Sequence, residues 1–176
     1  MQRLLVMTVI GADRPGLVES VASLVAEFGG NWLESSMSRL GGQFAGILRV
    51  EVPGERERAL VSALEGLAAK GLHVVVHSDQ APAAAETARV SMLEVVGHDR
   101  PGIVRQISHT LAAEGVNVEE LQTERSSAAM SGESLFKARA KVSIPSKVDT
   151  AQLRGKLEKI AEDLIVDISF SEMAQE

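Results

Sequence analysis

Two short stretches carry the residues that could do chemistry. Asp13 and Arg14 precede Pro15-Gly16, and the same residue types return 86 positions later as Asp99-Arg100-Pro101-Gly102. Each stretch follows a strand-like run and opens a helix-like run. The first amide groups of a helix lack intrahelical partners, and the helix dipole favours negative charge there. Such a turn could bind a carboxylate or phosphate through backbone N–H groups, while Asp could receive an ammonium group and Arg a carboxylate.

The same residues also suit a purely structural turn. Asp can cap a helix by accepting from an amide, Pro suits the first helical position, and Gly permits a tight bend or the close approach of a ligand. The asparagines just past each helix could add a side-chain amide to the same pocket, or could be turn residues. The candidate ligand-binding residues are Asp13, Arg14, Pro15, Gly16, Leu17, Asn31, His98, Asp99, Arg100, Pro101, Gly102, Ile103 and Asn117.

The repeated turn belongs to a longer internal duplication. Residues 11–31 and 97–117 share nine identities in twenty-one positions. A period near 86 is too long for a solenoid and has the size of a small domain. A stretch of small residues with one proline lies between the copies, as a linker would. The sequence therefore predicts one domain at 1–80, a linker at 81–87 and a second domain at 88–176.

Hydrophobic periodicity predicts the same element order in both copies. The first copy gives strand Arg3–Ile10, a helix from Pro15 to Gly29-Gly30, strands Asn31–Leu40 and Gln43–Val52 around a Gly41-Gly42 hairpin turn, helix Glu55–Lys70 and strand Leu72–His77. The second gives Ala88–Val96, Pro101–Glu114, Asn117–Arg125, Ser134–Ile144, Asp149–Asp163 and Ile165–Phe170, with a longer loop at Ser126–Gly132. This order predicts an α+β fold of two tandem ferredoxin-like βαββαβ domains, each a four-stranded antiparallel sheet with two helices on one face.

The other face of each sheet must meet water, the second domain or another subunit. In the second copy Lys137, Arg139 and Lys141 should point outward, either solvated and paired with nearby glutamates (Glu119, Glu120 or Glu124) or forming a docking stripe for an acidic partner. The outward set of the first copy is more apolar, and Leu4, Val6 and Ile47 would form an exposed apolar patch. We therefore expect self-association into a homo-oligomer.

Composition argues against several function classes. The net charge is −6 and the pI about 5.3, with one Trp and no Tyr, which argues against direct binding of nucleic acid. No apolar run approaches the roughly 18 residues of a membrane-spanning helix, and the N-terminus begins as a strand instead of a leader. A cytoplasmic protein without a membrane association is expected.

Catalytic and metal-binding patterns are also missing from the sequence. The chain has no cysteine, which removes disulfides and thiolate nucleophiles, and no catalytic motif is recognisable. His73 and His77 would lie roughly 13 Å apart along a strand, too far to share a metal. His98, beside Asp99, could contact a ligand or titrate near neutrality. We expect a binding protein with no metal or cofactor instead of an enzyme.

A Gly-x-Asp-Arg-Pro-Gly-(Leu/Ile)-Val turn between the first strand and first helix of a βαββαβ unit resembles that of an ACT domain. Taken whole, the chain resembles the glycine cleavage system transcriptional repressor family. The resemblance implies that the turns bind a small amino acid, with glycine as one candidate, and that the protein regulates transcription through a protein partner such as a transcriptional activator. Ala12 in one copy corresponds to His98 in the other, so the two sites are expected to be unequal. The open alternatives are a ligand-free scaffold for dimerisation and a regulatory module for a separate metabolic enzyme.

Overall fold

The computed structural model describes residues 1–79, 88–127 and 134–172. The chain divides into two compact units, Met1–Pro82 and Ala83–Glu176, here called domain 1 and domain 2. The predicted linker at 81–87 and most of the predicted loop Ser126–Gly132 lie outside the described residues. The domain boundaries drawn from the sequence at 80 and 88 therefore stay predictions.

Both domains have the predicted βαββαβ order. Domain 1 consists of β1 (Gln2–Ala12), α1 (Leu17–Glu27), β2 (Asn31–Leu40), β3 (Gln43–Pro53), α2 (Glu57–Glu65), a 3₁₀ turn (Gly66–Lys70) and β4 (Leu72–Ser78). Domain 2 consists of β5 (Ala88–His98), α3 (Ile103–Ala113), β6 (Asn117–Ser127), β7 (Ser134–Pro145), α4 (Thr150–Leu164) and β8 (Val166–Glu172). The strand orders are β2-β3-β1-β4 and β6-β7-β5-β8, with every pair antiparallel. The predicted α+β, ferredoxin-like fold is confirmed.

One face of each sheet packs on its two helices and forms the core. Alternate residues of the central strands β1 and β5 point to this face and meet the apolar stripes of the helices, as period-2 and period-3.6 patterns require. The buried residues of these elements include Leu5, Met7, Val9, Leu17, Val21, Val25, Leu60 and Leu64 in domain 1, and Leu93, Val95, Ile103, Ile107, Leu111, Leu153 and Leu157 in domain 2. Gly41 and Gly42, both with positive φ, form the predicted hairpin turn.

The starts of two helices differ from the prediction. Pro15 and Pro101 were expected at the first helical position, but α1 begins at Leu17 and α3 at Ile103. Gly16 (φ 89°) and Gly102 (φ 96°) adopt the left-handed conformation, which cannot continue into a right-handed helix. The prolines therefore lie in the turn before the helix, and the glycines occupy the N-cap.

The uncovered face of domain 2 carries paired charges. Lys137 lies 3.5 Å from Glu124, and Lys141 lies 3.3 Å from Glu119 and 3.7 Å from Glu120. The predicted pairing of these outward cations is confirmed, and a further pair, Arg139 with Glu94 at 2.7 Å, was not predicted. Because each cation already faces a carboxylate, the alternative of a basic docking stripe is not favoured.

The core of domain 2 contains one polar side chain that we expect to lower stability. Ser91 is fully buried, and its hydroxyl has no hydrogen-bond partner among the described residues. Leu5 holds the corresponding position in domain 1. Since an unsatisfied buried hydroxyl costs about 1–3 kcal/mol, Ser91→Ala should raise the free energy of unfolding of domain 2 by about 1 kcal/mol.

Urea unfolding followed by far-UV circular dichroism measures this change. Trp32, the single tryptophan, lies in domain 1, so its fluorescence transition should stay unchanged. Ser169 is exposed and provides the control. Ser169→Ala should change stability by less than about 0.5 kcal/mol, as surface substitutions usually do. A destabilised Ser91→Ala protein would show that the hydroxyl is satisfied in solution.

Candidate functional site

The two Asp-Arg-Pro-Gly turns are held against the far end of the neighbouring hairpin. The Asp13 N–H donates to the Gly42 carbonyl at 2.9 Å, and the Asp99 N–H donates to the Ser134 carbonyl at 2.9 Å. In domain 1 this bond joins the turn after β1 to the turn before β3. In domain 2 it joins the turn after β5 to the start of β7. The backbone of both turns is therefore fixed in the same way.

Each turn also forms an ion pair with the second strand of its domain. Asp13 Oδ2 lies 3.2 Å from Arg39 Nε, and Asp99 Oδ2 lies 2.9 Å from Arg125 Nε. Of the two alternatives for the aspartates, helix capping is not observed, since α1 and α3 have no side-chain cap. The two arginines are largely exposed, so the pairs position the carboxylates more than they stabilise the fold. The sequence analysis missed both arginines, although they are separated by the same 86 positions as the turns.

The starts of α1 and α3 are open to solvent at their N-cap glycines. The first intrahelical bonds run from Ser20 N–H to the Gly16 carbonyl and from Gln106 N–H to the Gly102 carbonyl, both at 2.9 Å. A Cβ placed on Gly16 would have only Glu19 Oε2 within 4 Å, at 3.8 Å, and one on Gly102 only Gln106 Nε2, at 3.9 Å. Glycine is thus required here by its positive φ, and the uncrowded backbone leaves room for a ligand.

The charges around the two turns differ. In domain 1 the first turn of α1 contains Glu19, whereas Arg105 holds the corresponding position of α3, which has no acidic residue in its first turn. Arg14 Nη2 donates to the Lys70 carbonyl at 2.7 Å, but Arg100 has no hydrogen bond or ion pair within residues 1–79, 88–127 and 134–172. The second turn therefore presents more positive charge, and one guanidinium there remains available to an anion.

The structure separates the asparagines from the turns. Asn31 pairs with Glu51, which in turn lies opposite Leu4, while the turn lies beyond Ala12 at the other end of β1. Eight residues of strand separate the two ends, roughly 27 Å. Asn117 is placed likewise, opposite Ser143. The prediction that an asparagine shares a pocket with the turn of its own domain is therefore wrong, because the chain returns through the intervening helix towards the other end of the sheet before it reaches the asparagine.

The remaining candidate residues divide into core and surface. Leu17 (3% exposed) and Ile103 (2% exposed) are core residues, so only their backbone can face a ligand. Pro15, Pro101 and His98 are exposed, with His98 at the end of β5. Within the described ranges, no group of three or more His, Asp or Glu side chains is arranged to hold a metal ion. Among the helices of the described residues, none is both long and apolar enough to cross a membrane.

Comparison with protein families identifies both units. Residues 3–77 match one family model described as an ACT domain, and residues 91–162 match a second ACT-domain model. The chain belongs to the ACT-domain family. ACT domains are regulatory modules, so the chain is an ACT-domain regulatory protein with two such domains in tandem.

Two solved structures are similar to this chain over nearly its whole length. An unknown protein from Galdieria sulphuraria is 29% identical with a TM-score of 0.88, covering 99% of this chain and 100% of that one. A candidate glycine cleavage system transcriptional repressor is 19% identical with a TM-score of 0.71, covering 99% of each chain. The second likeness shows a common fold. Comparison with curated protein sequences gives no significant match.

The left-handed conformation of Gly16 in the first ACT domain can be tested by comparing its substitution with that of a second glycine of the same domain. Gly16→Ala should lower the free energy of unfolding by about 1–2 kcal/mol, because other residues are strained at a left-handed φ. Gly66 instead has a right-handed helical conformation and open space around it. Gly66→Ala should therefore raise stability by about 0.5–1 kcal/mol. Urea unfolding followed by Trp32 fluorescence measures both, and equal effects of the two substitutions would contradict the assigned conformation of Gly16.

Proposed function

We propose that the protein is an amino-acid-responsive regulator that binds a small amino acid at an Asp-Arg-Pro-Gly turn and acts through a protein partner such as a transcriptional activator. The observation that carries the proposal is an uncapped helix start behind a left-handed glycine, repeated in two ACT domains. The fold shared with a candidate glycine cleavage system transcriptional repressor supports glycine cleavage as the regulated process. It also makes glycine the first ligand to test.

The turn offers complementary groups to a zwitterion. The amide groups at the start of α3 and the Arg100 guanidinium suit a carboxylate. Asp99 suits an ammonium group, but its carboxylate is held by Arg125 at 2.9 Å. An incoming ammonium would replace Arg125 on this carboxylate. Ligand binding would thereby loosen the turn from β6 and change the protein surface beside the turn.

The second turn is the better site for an amino acid. Arg100 is available there, whereas Arg14 is already bonded to the Lys70 carbonyl. Glu19 adds a negative charge beside the Gly16 turn, where a ligand carboxylate would have to lie. Near Gly102, domain 2 has the amide of Gln106 and the cation of Arg105 in place of this carboxylate. We therefore expect one ligand per chain, at the turn of domain 2.

Isothermal titration calorimetry of the full chain with a panel of amino acids that includes glycine tests this assignment. The wild-type protein should bind at least one of them with one site per chain. Arg100→Gln removes a charge-assisted hydrogen bond worth about 1.5–3 kcal/mol, so affinity should fall at least about tenfold. The matched control Arg14→Gln should change affinity less than about threefold.

Each other outcome of the titration contradicts a stated part of the proposal. No heat from any amino acid at millimolar concentration would contradict amino-acid sensing and leave the ligand-free scaffold as the better function. Loss of binding in Arg14→Gln with retention in Arg100→Gln would place the ligand at the other turn.

Regulation through a partner predicts that the protein alone does not bind DNA. With a net charge of −6 it lacks the excess of cations that drives phosphate binding. Fluorescence anisotropy of a short labelled duplex should stay flat up to about 10 µM protein in about 50 mM salt, a condition that exaggerates electrostatic attraction. Binding that weakens steeply with added salt would contradict action through a partner alone.

A further inference from the structure

Ile165, the residue between α4 and β8, has a backbone conformation that its side chain disfavours. Its φ of 55° and ψ of 53° are those of the left-handed region. Among residues 1–79, 88–127 and 134–172 it is the only residue other than glycine with a positive φ. A β-branched side chain is rare in this conformation, because its Cβ comes too close to the backbone. Such strain persists only where the surrounding structure enforces it.

The core of domain 2 holds Ile165 in this conformation. Leu164 (7% exposed) ends α4 and Val166 (8% exposed) begins β8, so both neighbours of Ile165 are anchored in the core. The Ile165 N–H donates to the Glu162 carbonyl at 3.3 Å and closes the end of the helix. The chain must therefore reverse direction at Ile165. The residue itself is 60% exposed and adds little to the core.

Domain 1 makes the same reversal with a glycine. Leu72 pairs with Gly11 as Val166 pairs with Gly97, so Gly71 holds the position that corresponds to Ile165. Gly71 has a φ of 77° and no side chain that could be strained there. The fold thus requires a left-handed residue at this position but not an isoleucine. Departures of this kind from local preference are expected at functional sites.

The end of α4 lies beside the Asp-Arg-Pro-Gly turn of domain 2. A Cβ on Gly97 would be 2.9 Å from the Ile165 carbonyl oxygen, and Asp99 is at most roughly 7 Å further along the chain. In domain 1 the corresponding helix end contacts the turn itself, since Arg14 Nη2 donates to the Lys70 carbonyl at 2.7 Å. Ile165 is therefore close enough to the turn to contact a ligand bound there.

The two domains differ in the side chains beside the turn. Domain 1 has the small residues Ala12 and Gly71, whereas domain 2 has His98 and Ile165 at the same positions, both of them exposed. An imidazole and a branched aliphatic group are thereby added beside the second turn. The apolar part of this added surface belongs to Ile165.

We propose that Ile165 determines the specificity of the domain 2 site and selects an amino acid with an aliphatic side chain. This inference rests on the proposed function and names the class of amino acid that binds. With the ligand ammonium on Asp99 and its carboxylate at the start of α3, a side chain of three or four carbons contacts Ile165. The contact removes apolar surface of both groups from water, which stabilises the complex. Glycine makes no such contact.

Isothermal titration calorimetry of the full chain with leucine, valine and glycine tests this selectivity. Leucine should bind at least about tenfold more tightly than glycine, because an aliphatic contact that buries on the order of 60 Å² corresponds to about a factor of ten in affinity. Ile165→Ala should lower the ratio of the leucine and glycine affinities about five- to tenfold, whereas Ile165→Leu should keep it. The control Val75→Ala, at an exposed aliphatic residue of domain 1 (53% exposed), should leave the ratio unchanged.

Ile165→Gly separates the role of the side chain in binding from its effect on stability. Glycine relieves the strain, and this gain exceeds the extra chain entropy that glycine loses on folding. The equilibrium constant for unfolding should therefore fall about two- to fivefold, as measured by urea unfolding followed by far-UV circular dichroism. The leucine preference should nevertheless fall as in Ile165→Ala. A residue with only a structural role would change the stability and not the preference.

Methyl ¹³C–¹H spectra of isoleucine-labelled protein test the contact itself. The δ1 methyl resonance of Ile165 should shift during titration with leucine and shift less with glycine. Ile10 (51% exposed) and Ile47 (49% exposed) are comparably exposed isoleucines of domain 1, and their resonances should stay in place.

Three results would overturn this inference while leaving the proposed function intact. They are equal affinities for leucine and glycine, a leucine preference that survives in Ile165→Ala and Ile165→Gly, and a preference that Ile165→Leu loses as completely as Ile165→Ala. The absence of binding by every amino acid would instead contradict the proposed function, and this inference with it.

Discussion

A glycine held in the left-handed conformation occupies the N-cap of the first helix of each ACT domain, and the candidate site depends on it. Other residues in this conformation would be strained by about 1–2 kcal/mol. The preceding proline has no N–H, and the aspartate before it directs its N–H to the hairpin and its carboxylate to an arginine. No side chain is then left to cap the helix. Its first amide groups stay accessible at a fixed place beside a carboxylate and a guanidinium.

Local patterns were sufficient to predict the fold but not the site. Alternation in β1, the helical spacing of Leu60 and Leu64 and the Gly41-Gly42 turn each depend on neighbours in the chain, and all three predictions are confirmed. The Asp13–Arg39 pair depends on which strand lies beside which, so it appears only once the sheet order is known. Asn31 was misplaced for the opposite reason. It is close to the turn in sequence, but α1 carries the chain roughly 16 Å back along the sheet.

The duplication allows each domain to serve as a reference for the other. The turns keep the glycine, the aspartate and its arginine partner, whereas the surrounding charges change from Glu19 to Arg105. The sheet faces that the helices do not cover differ as well. Ile47 in domain 1 is apolar, whereas the corresponding Arg139 in domain 2 is ion-paired. The proposed function follows the first difference and assigns ligand binding to domain 2.

The most direct test of the central claim is a ¹⁵N–¹H correlation spectrum of the full chain, recorded during titration with the amino acid that gives the strongest calorimetric signal. The backbone amide resonances of Gly102, Ile103 and Val104 should shift with the ligand concentration, while that of Gly16 should stay in place. This result would locate the ligand at the start of α3. Shifts confined to the Gly16 turn, or no shifts at either turn at millimolar ligand, would contradict the account.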